Sequence, residues 1–554
     1  MVVKQQKKKR SQQPEDDDTA ENEKTVYDRI FEAYYDKNVG FEIQAFLDTI
    51  KFNGFRLRDP RLHSLTHYLT QALKRQRRAA KSDDPRKNGV TKEELHRNVQ
   101  SVPIGLLRKI LQGQCVVKRW NLFTQRIDAI YDLCKSVDGG EVTKTNQEFA
   151  KQDPDLFGIS VCSIDGQRKN WGDACERFCI HSISKAFTYA INLTDLGSET
   201  VHQHIGMEPS GRTFDEICLD KNGMPHNPLI NTGAIICASL VKPHLYIADR
   251  FNFITEQFSK LAGGEYVGFN QAAFLAGREN ADRNYALAYY MRENKNFKED
   301  ADIRSALEFY VQLCSIEVTC ESLAVMAATL ANGGRCPLTD EQCLSNEACR
   351  NTLSLMHSCG MYDYSGMYAF KVGIPSKSGI SGGLIVVVPN VCGFAVFSPN
   401  VNKECNSVRG VKFCEELVNT FNFHNYDNLM HSERTKIDPR QCTQQLRWDK
   451  TTDLLFAAKA GDLSALRTFW RHGVDMDAAD YDGRTALHIA ASEGHTELVR
   501  FLVRTCNANI AAVDRWGNTP VEDARSFDHP DCERIMLRIF SKKSVWAQQP
   551  TVTE

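Results

Sequence analysis

Between Thr451 and Phe540 the chain repeats itself. Ala457-Ala458 and Gly461-Asp462 return as Ala490-Ala491 and Gly494-His495 thirty-three residues on, and Asp480 and Thr485 return as Asp514 and Thr519 thirty-four residues on. A fixed period of that size restricts the fold more than any other feature. Each unit, a turn and two helices, is too short to enclose a core, so its apolar faces are buried only against the next unit. About three units therefore stack into a short helical solenoid. Such a solenoid binds proteins or supports a neighbour, and supplies no chemistry of its own.

The remaining chain must carry any reaction. At 554 residues it exceeds one core and predicts three or four domains. A formal net charge of −2 gives no overall field for nucleic acid or a membrane surface. The best apolar run, GGLIVVV at 382–388, reads as a buried strand and falls far short of the ~20 residues of a membrane span. The basic stretch QALKRQRRAAKSDDPRKNG has no aromatic residues among its charges, so it reads as a solvated helix end and loop rather than a nucleic-acid surface. The nineteen cysteines are scattered, which predicts reduced thiols and no disulfide framework. Cys314/Cys320 and Cys336/Cys343 lack the C-x-x-C spacing of zinc sites and no H-E-x-x-H occurs, so no metal is expected.

Residues 1–24, a basic block and then an acidic one, have almost nothing to bury and read as a disordered charged tail. KQQKKKR reads as a solvated charge run before a nuclear address. The tail lacks the Arg-rich, acid-poor pattern of a mitochondrial presequence, so a cytoplasmic location is expected, with the mitochondrion as the alternative. From 25 to 139 the pattern is helical, and from 140 to 425 it changes to glycine-rich turns, apolar runs and long helical stretches.

Within that second region, FCIHSISKAFTYAI places Ser182 and Lys185 at the start of an apolar-patterned helix. Residues i and i+3 share a helix face, so the Lys185 amine can reach the Ser182 hydroxyl. Alone, the pair reads as a capping serine at a polar helix start with a solvated lysine one turn on. It gains meaning from Lys377-Ser378-Gly379, which leads into the most apolar strand, and from the tyrosine-rich turn GMYDYSGMY just upstream. Serine acyl-transfer enzymes of the β-lactamase and penicillin-binding architecture use S-x-x-K and K-[ST]-G together. Nucleophile, base, phenol and oxyanion donors are then all present.

The repeats carry GRTALHIAASEGH and WGNTP, which resemble the ankyrin signature. EPSGRTFDEICLDKNGMPHNPLINTGAI, EYVGF, DRNYALAYYMRE, LEFYVQLCSIEVTCESLAVMAATLANGG, NTLSLMHSCGMYDYSG and FHNYDNL resemble the glutaminase family, and the domain order resembles its animal kidney- and liver-type members. The resemblance implies a multidomain chain: an EF-hand-like all-α domain at 25–139 and an α/β, serine β-lactamase/penicillin-binding-like catalytic domain at 140–425. A linker at 426–450, α ankyrin repeats at 451–540 and a tail at 541–554 follow. It implies hydrolysis of L-glutamine to L-glutamate and ammonia through a serine acyl-enzyme, with Ser182 as nucleophile, Lys185 as general base and Tyr362 as a substrate-contacting proton shuttle. Asn231, Asn284 and Tyr310 are expected to grip the substrate's α-amino and α-carboxylate groups, and the amides of Ser182 and Ile380 to form the oxyanion hole. No cofactor is implied, phosphate is implied as an activator, and a homotetramer with a protein partner at the repeats is expected.

Three positions depart from the family pattern. Gly277 stands where a glutamate that holds the substrate ammonium is expected, with Glu279 two residues away. Thr145 stands where a substrate-contacting tyrosine is expected, and Cys218 replaces an aromatic residue in the gating segment FDEICLDKNG. These departures leave a rival reading, a weakened or inactive paralogue acting through its repeats or by co-assembly. A β-lactam-type peptidase is a third reading, opposed by the long glutaminase-like segments.

Overall fold

The computed structural model describes residues 28–547 apart from 29, 37–39, 80–89, 101, 146, 428–435, 441–443 and 472. The expected tail at 1–24, much of the expected linker and the end of the expected tail at 541–554 lie outside the described residues. Contacts divide the chain into two compact units. Residues 1–51, 57–114 and 442–554 form the first, and residues 52–56 and 115–441 the second.

In the first unit the 3.6-period stretches fold as helices Ile43–Phe52, His63–Ala79, Lys92–Val99 and Ile104–Leu111. The repeats form three helix pairs: Gln444–Lys459 with Leu463–Arg471, Ala486–Ser492 with Thr496–Arg504, and Pro520–Ser526 with Pro530–Ala547. Thr485 and Thr519 recur because each caps the first helix of its pair, accepting the N–H of His488 or Glu522. The glycines recur for a second reason. Gly461 and Gly494 have φ of +69° and +75°, and a Cβ there would meet the rings of His495 and His529 at 2.8 and 2.6 Å, the same contact one repeat on. In the same unit Arg471 lies 4.3 Å from the Tyr34 ring, donates to the Ala33 carbonyl at 3.2 Å and pairs with Glu42.

The second unit is built on a five-stranded antiparallel sheet between helices. Among its elements, in chain order, are α1 (Trp120–Lys135), β1 (Gly158–Ser163), β2 (Arg168–Gly172), α2 (Ser184–Leu196), α3 (Asn231–Leu240), α4 (Gln271–Glu279), α5 (Asp282–Glu293), α6 (Ile303–Cys314), α7 (Cys320–Ala331), β3 (Ser376–Ser378), β4 (Gly383–Val388), β5 (Cys392–Phe397) and α8 (Val408–Thr420). The strand order is β2-β1-β5-β4-β3. GGLIVVV is apolar throughout because β4 is buried on both faces. Ile385 and Val387 join the core with α2, α3, α6 and α7, while Leu384, Val386 and Val388 join the core with α1 and α8. Residues 115–139, expected with the N-terminal helices, pack in this unit instead. Phe123, Ile127 and Ile130 of α1 share one core with Ile159, Val161 and Phe394 of the sheet.

On the other face α7 lies directly against β5. A Cβ at Gly393 would come within 2.3 Å of the Ala328 backbone nitrogen, so only glycine permits that approach. α2, α3 and α7 are buried over most of their surfaces, which explains their weakly amphipathic sequences.

Candidate active site

Strand Phe178–Cys179 ends in a tight 3₁₀ turn, His181–Ile183, that runs straight into α2. The turn needs a left-handed residue, His181 with φ +47°, immediately before Ser182. Such a conformation costs about 1–3 kcal/mol outside glycine, and the surrounding packing must hold it. Ser182 is 8% exposed, and Lys185, one turn later on α2, is 2% exposed.

Lys185 Nζ donates to Asn231 Oδ1 at 2.6 Å. The Asn231 amide nitrogen in turn donates to Asn284 Oδ1 at 3.0 Å, and the Tyr310 hydroxyl donates to Asn231 Oδ1 at 3.2 Å. Four residues from α2, α3, α5 and α6 thus form one hydrogen-bonded group. Asn231 is not a helix cap. It is the first residue of α3, whose N-cap Ile230 makes no side-chain cap, and its side chain is spent on the group.

The K-[ST]-G segment lies on β3. Lys377 is fully buried, and its Nζ donates to the Ser378 carbonyl at 2.8 Å. The Tyr362 hydroxyl donates to the same carbonyl at 3.1 Å, and Lys377 Nζ stands 4.5 Å from the Tyr362 ring. Tyr362 is the second left-handed residue here, with φ +53°. The Ser182 hydroxyl and the Ile380 amide approach the phenol closely enough to favour its ionised form, but burial outweighs them and holds the phenol neutral, its pKa raised.

Burial also drives the Lys185 pKa down from 10.5 to about 8, against the opposing effects of Cys314 and Asp215. Lys377 is lowered well below its ordinary value by burial first and by the neighbouring Lys185 charge second. His181 is lowered to about 3 by burial and then by Lys185, so it stays neutral. Burial therefore makes the free amine of Lys185 accessible near neutral pH and keeps the Tyr362 phenol neutral, a combination suited to passing protons.

Sequence reasoning missed Phe214 and Cys314. The Phe214 ring lies 4.8 Å from the Tyr362 ring and 5.9 Å from Lys185 Nζ. An aromatic residue does serve this segment, four residues before Cys218, which is half-buried in the loop. Cys314, the last residue of α6, approaches Tyr310 and Ser184. A cavity of ≈ 440 Å³ is lined in part by Ser210, Arg212, Phe214, Cys359, Tyr362 and Asp363. Gly277 lies within α4, where a Cβ would meet Val311 Cγ1 at 3.1 Å. Thr145 is exposed, with its hydroxyl 3.1 Å from that of Thr143. Among the described residues no cluster of three metal-binding side chains occurs and no helix is long and apolar enough to cross a membrane.

Comparison with known proteins adds to this geometry. Residues 140–426 match the glutaminase family model, and residues 454–546 match a model of three ankyrin repeats. "Putative glutaminase 2" of Caenorhabditis elegans is 44% identical over 525 residues, 94% of this chain and 86% of that protein. "Glutaminase liver isoform, mitochondrial" of Rattus norvegicus is 45% identical over 509 residues, 92% of this chain and 83% of that protein. A solved structure described as a probable glutaminase superposes with a TM-score of 0.51 at 33% identity, covering 53% of this chain and 95% of its own.

Proposed function

The chain belongs to the glutaminase family and is a glutamine-hydrolysing amidohydrolase carrying ankyrin repeats, and from that premise we propose that it works through a serine acyl-enzyme built on Ser182 and Lys185. Neutral Lys185 takes the hydroxyl proton as Ser182 Oγ attacks the side-chain carbonyl carbon of L-glutamine. The backbone N–H groups of Ser182 and Ile380 stabilise the oxyanion. Collapse breaks the C–N bond, and the proton passes from Lys185, with the Tyr362 phenol as shuttle, to the departing nitrogen, which leaves as ammonia. Water then attacks the ester with Lys185 again accepting a proton, which it returns to Ser182 Oγ as the ester C–O bond breaks and L-glutamate leaves. Asn231, Asn284 and Tyr310 hold the α-substituents of the substrate.

The observation that carries this reading is the burial of Lys185 one helical turn after Ser182, which holds its pKa at about 8. Ser182→Ala tests it. Ammonia release should be abolished while the melting temperature changes little, because a hydroxyl at a helix start contributes at most about 0.5–2 kcal/mol. Undiminished release from the variant would eliminate the mechanism. Gly277 and Thr145 favour the rival of a weakened or inactive paralogue, and wild-type turnover with and without phosphate decides between them.

Family membership supports phosphate activation and a homotetramer as further proposals, and the repeats supply a surface for a protein partner. The rat and mouse relatives are named as mitochondrial, which supports the mitochondrial alternative over the cytoplasmic expectation. Fusing residues 1–30 to a fluorescent protein reads the address.

A further inference from the structure

The substrate of such a site is a zwitterion, and its ammonium, once out of water, calls for an anionic partner. The hydrogen-bonded group around Asn231 offers amides, a phenol and an amine, but no carboxylate. Gly277 has no side chain to give, and Glu279 is exposed at the end of α4. Glu216 is paired with Arg212 at 2.8 Å, and Asp363 is exposed.

Asp215 differs from all of these. The backbone beside it is tied to Asn231 and to Arg283, the neighbour of Asn284. The carbonyl of Phe214 accepts the Asn231 N–H at 2.9 Å, and the carbonyl of Asp215 accepts from Arg283 Nε at 2.9 Å, the residue before Asn284. The Phe214 ring beside it reaches Tyr362 and Lys185. Its half-buried carboxylate is near enough to raise the pKa values of both Lys185 and Tyr310. Among the described residues, no hydrogen bond or ion pair engages that carboxylate.

We infer that Asp215 is the anionic residue that holds the α-ammonium of the bound amino acid, and so makes the site select an α-amino acid over the corresponding plain acid. This inference rests on the glutaminase reading of the site. It assigns the charge recognition to the loop that carries Phe214 rather than to α4. Substrate capture and the seating of Phe214 against Tyr362 are then functions of one short segment.

Equilibrium binding of L-glutamate and of glutarate, which lacks only the ammonium, to the full chain tests it. The wild type should prefer L-glutamate. Asp215→Asn should weaken L-glutamate binding about tenfold or more, the loss of a charge-assisted contact, and change glutarate binding less than about twofold. Asp215→Ser serves if the amide variant's melting temperature shows that it has not folded. Equal losses for both ligands, no loss for either, or a wild type that does not distinguish them would overturn the assignment. Ammonia release by the wild type is measured in parallel. Its absence would undo the glutaminase reading, whereas the binding comparison judges Asp215 by itself.

Discussion

Lys185 sets the pH dependence because a base works only in its neutral form. With its pKa lowered from 10.5 to about 8, about a tenth of the molecules carry the free amine at pH 7, against well under one in a thousand for an ordinary lysine. The ratio kcat/KM should therefore climb with pH, about tenfold per unit below pH 8, and level off above it. The sign for stability is the same. Between pH 8 and 10.5 the unfolded chain holds a proton that the folded chain has released, so folding becomes more favourable as pH rises through that window. Lys185→Met should accordingly raise the melting temperature at pH 7 while abolishing turnover, and a lowered melting temperature would show that the buried ammonium is better compensated than its surroundings indicate. At this scale the sequence offered Ser182, Lys185 and Lys377 by motif, and Tyr362, Asn231, Asn284, Tyr310 and Ile380 by resemblance. Phe214 and Asp215 stayed hidden within the segment read as a gate, because their roles depend on backbone bonds to Asn231 and Arg283 that no spacing in the sequence announces.

The elements were more legible than their groupings. Short apolar runs between turn residues find β1, β4 and β5, each buried on both faces, and the apolar spacing after Ser182 finds α2. The assignment of α1 to the second unit is not recorded that way, since an amphipathic helix shows an apolar stripe without showing what covers it. Gly393 illustrates a similar gap. It looks like an ordinary strand glycine, yet it sets the spacing of α7 from the sheet, and α7 shares a core with α2 and α3. Gly393→Ala should cost about 1–3 kcal/mol or more, since the obstructing atoms belong to backbone that cannot rotate away. Thermal unfolding checks this. A variant as stable as the wild type would mean that α7 moves off the sheet without loss, and its turnover would then show whether the site tolerates the shift.

For the molecule as a whole, the division into two units makes the repeats part of the N-terminal helices' fold. Residues 442–554 belong to the same compact unit as residues 1–51 and 57–114, and Arg471 bridges to Tyr34, Ala33 and Glu42 within it. The site residues all lie in the other unit, between Ser182 and Ile380. Truncation after residue 441 should therefore act unequally. The sheet unit keeps its own cores and should still unfold cooperatively with Ser182-dependent ammonia release. The N-terminal helices lose the partner against which Tyr34 and Glu42 are placed, and they should become open to proteolysis before the sheet unit does. Calorimetry of the full chain, compared with the truncated chain, should show the disappearance of one transition and the survival of another. If limited proteolysis instead leaves residues 28–114 intact in the truncated chain, the helices fold without the repeats. The repeats would then be left with partner binding, the role their period first suggested, as their function.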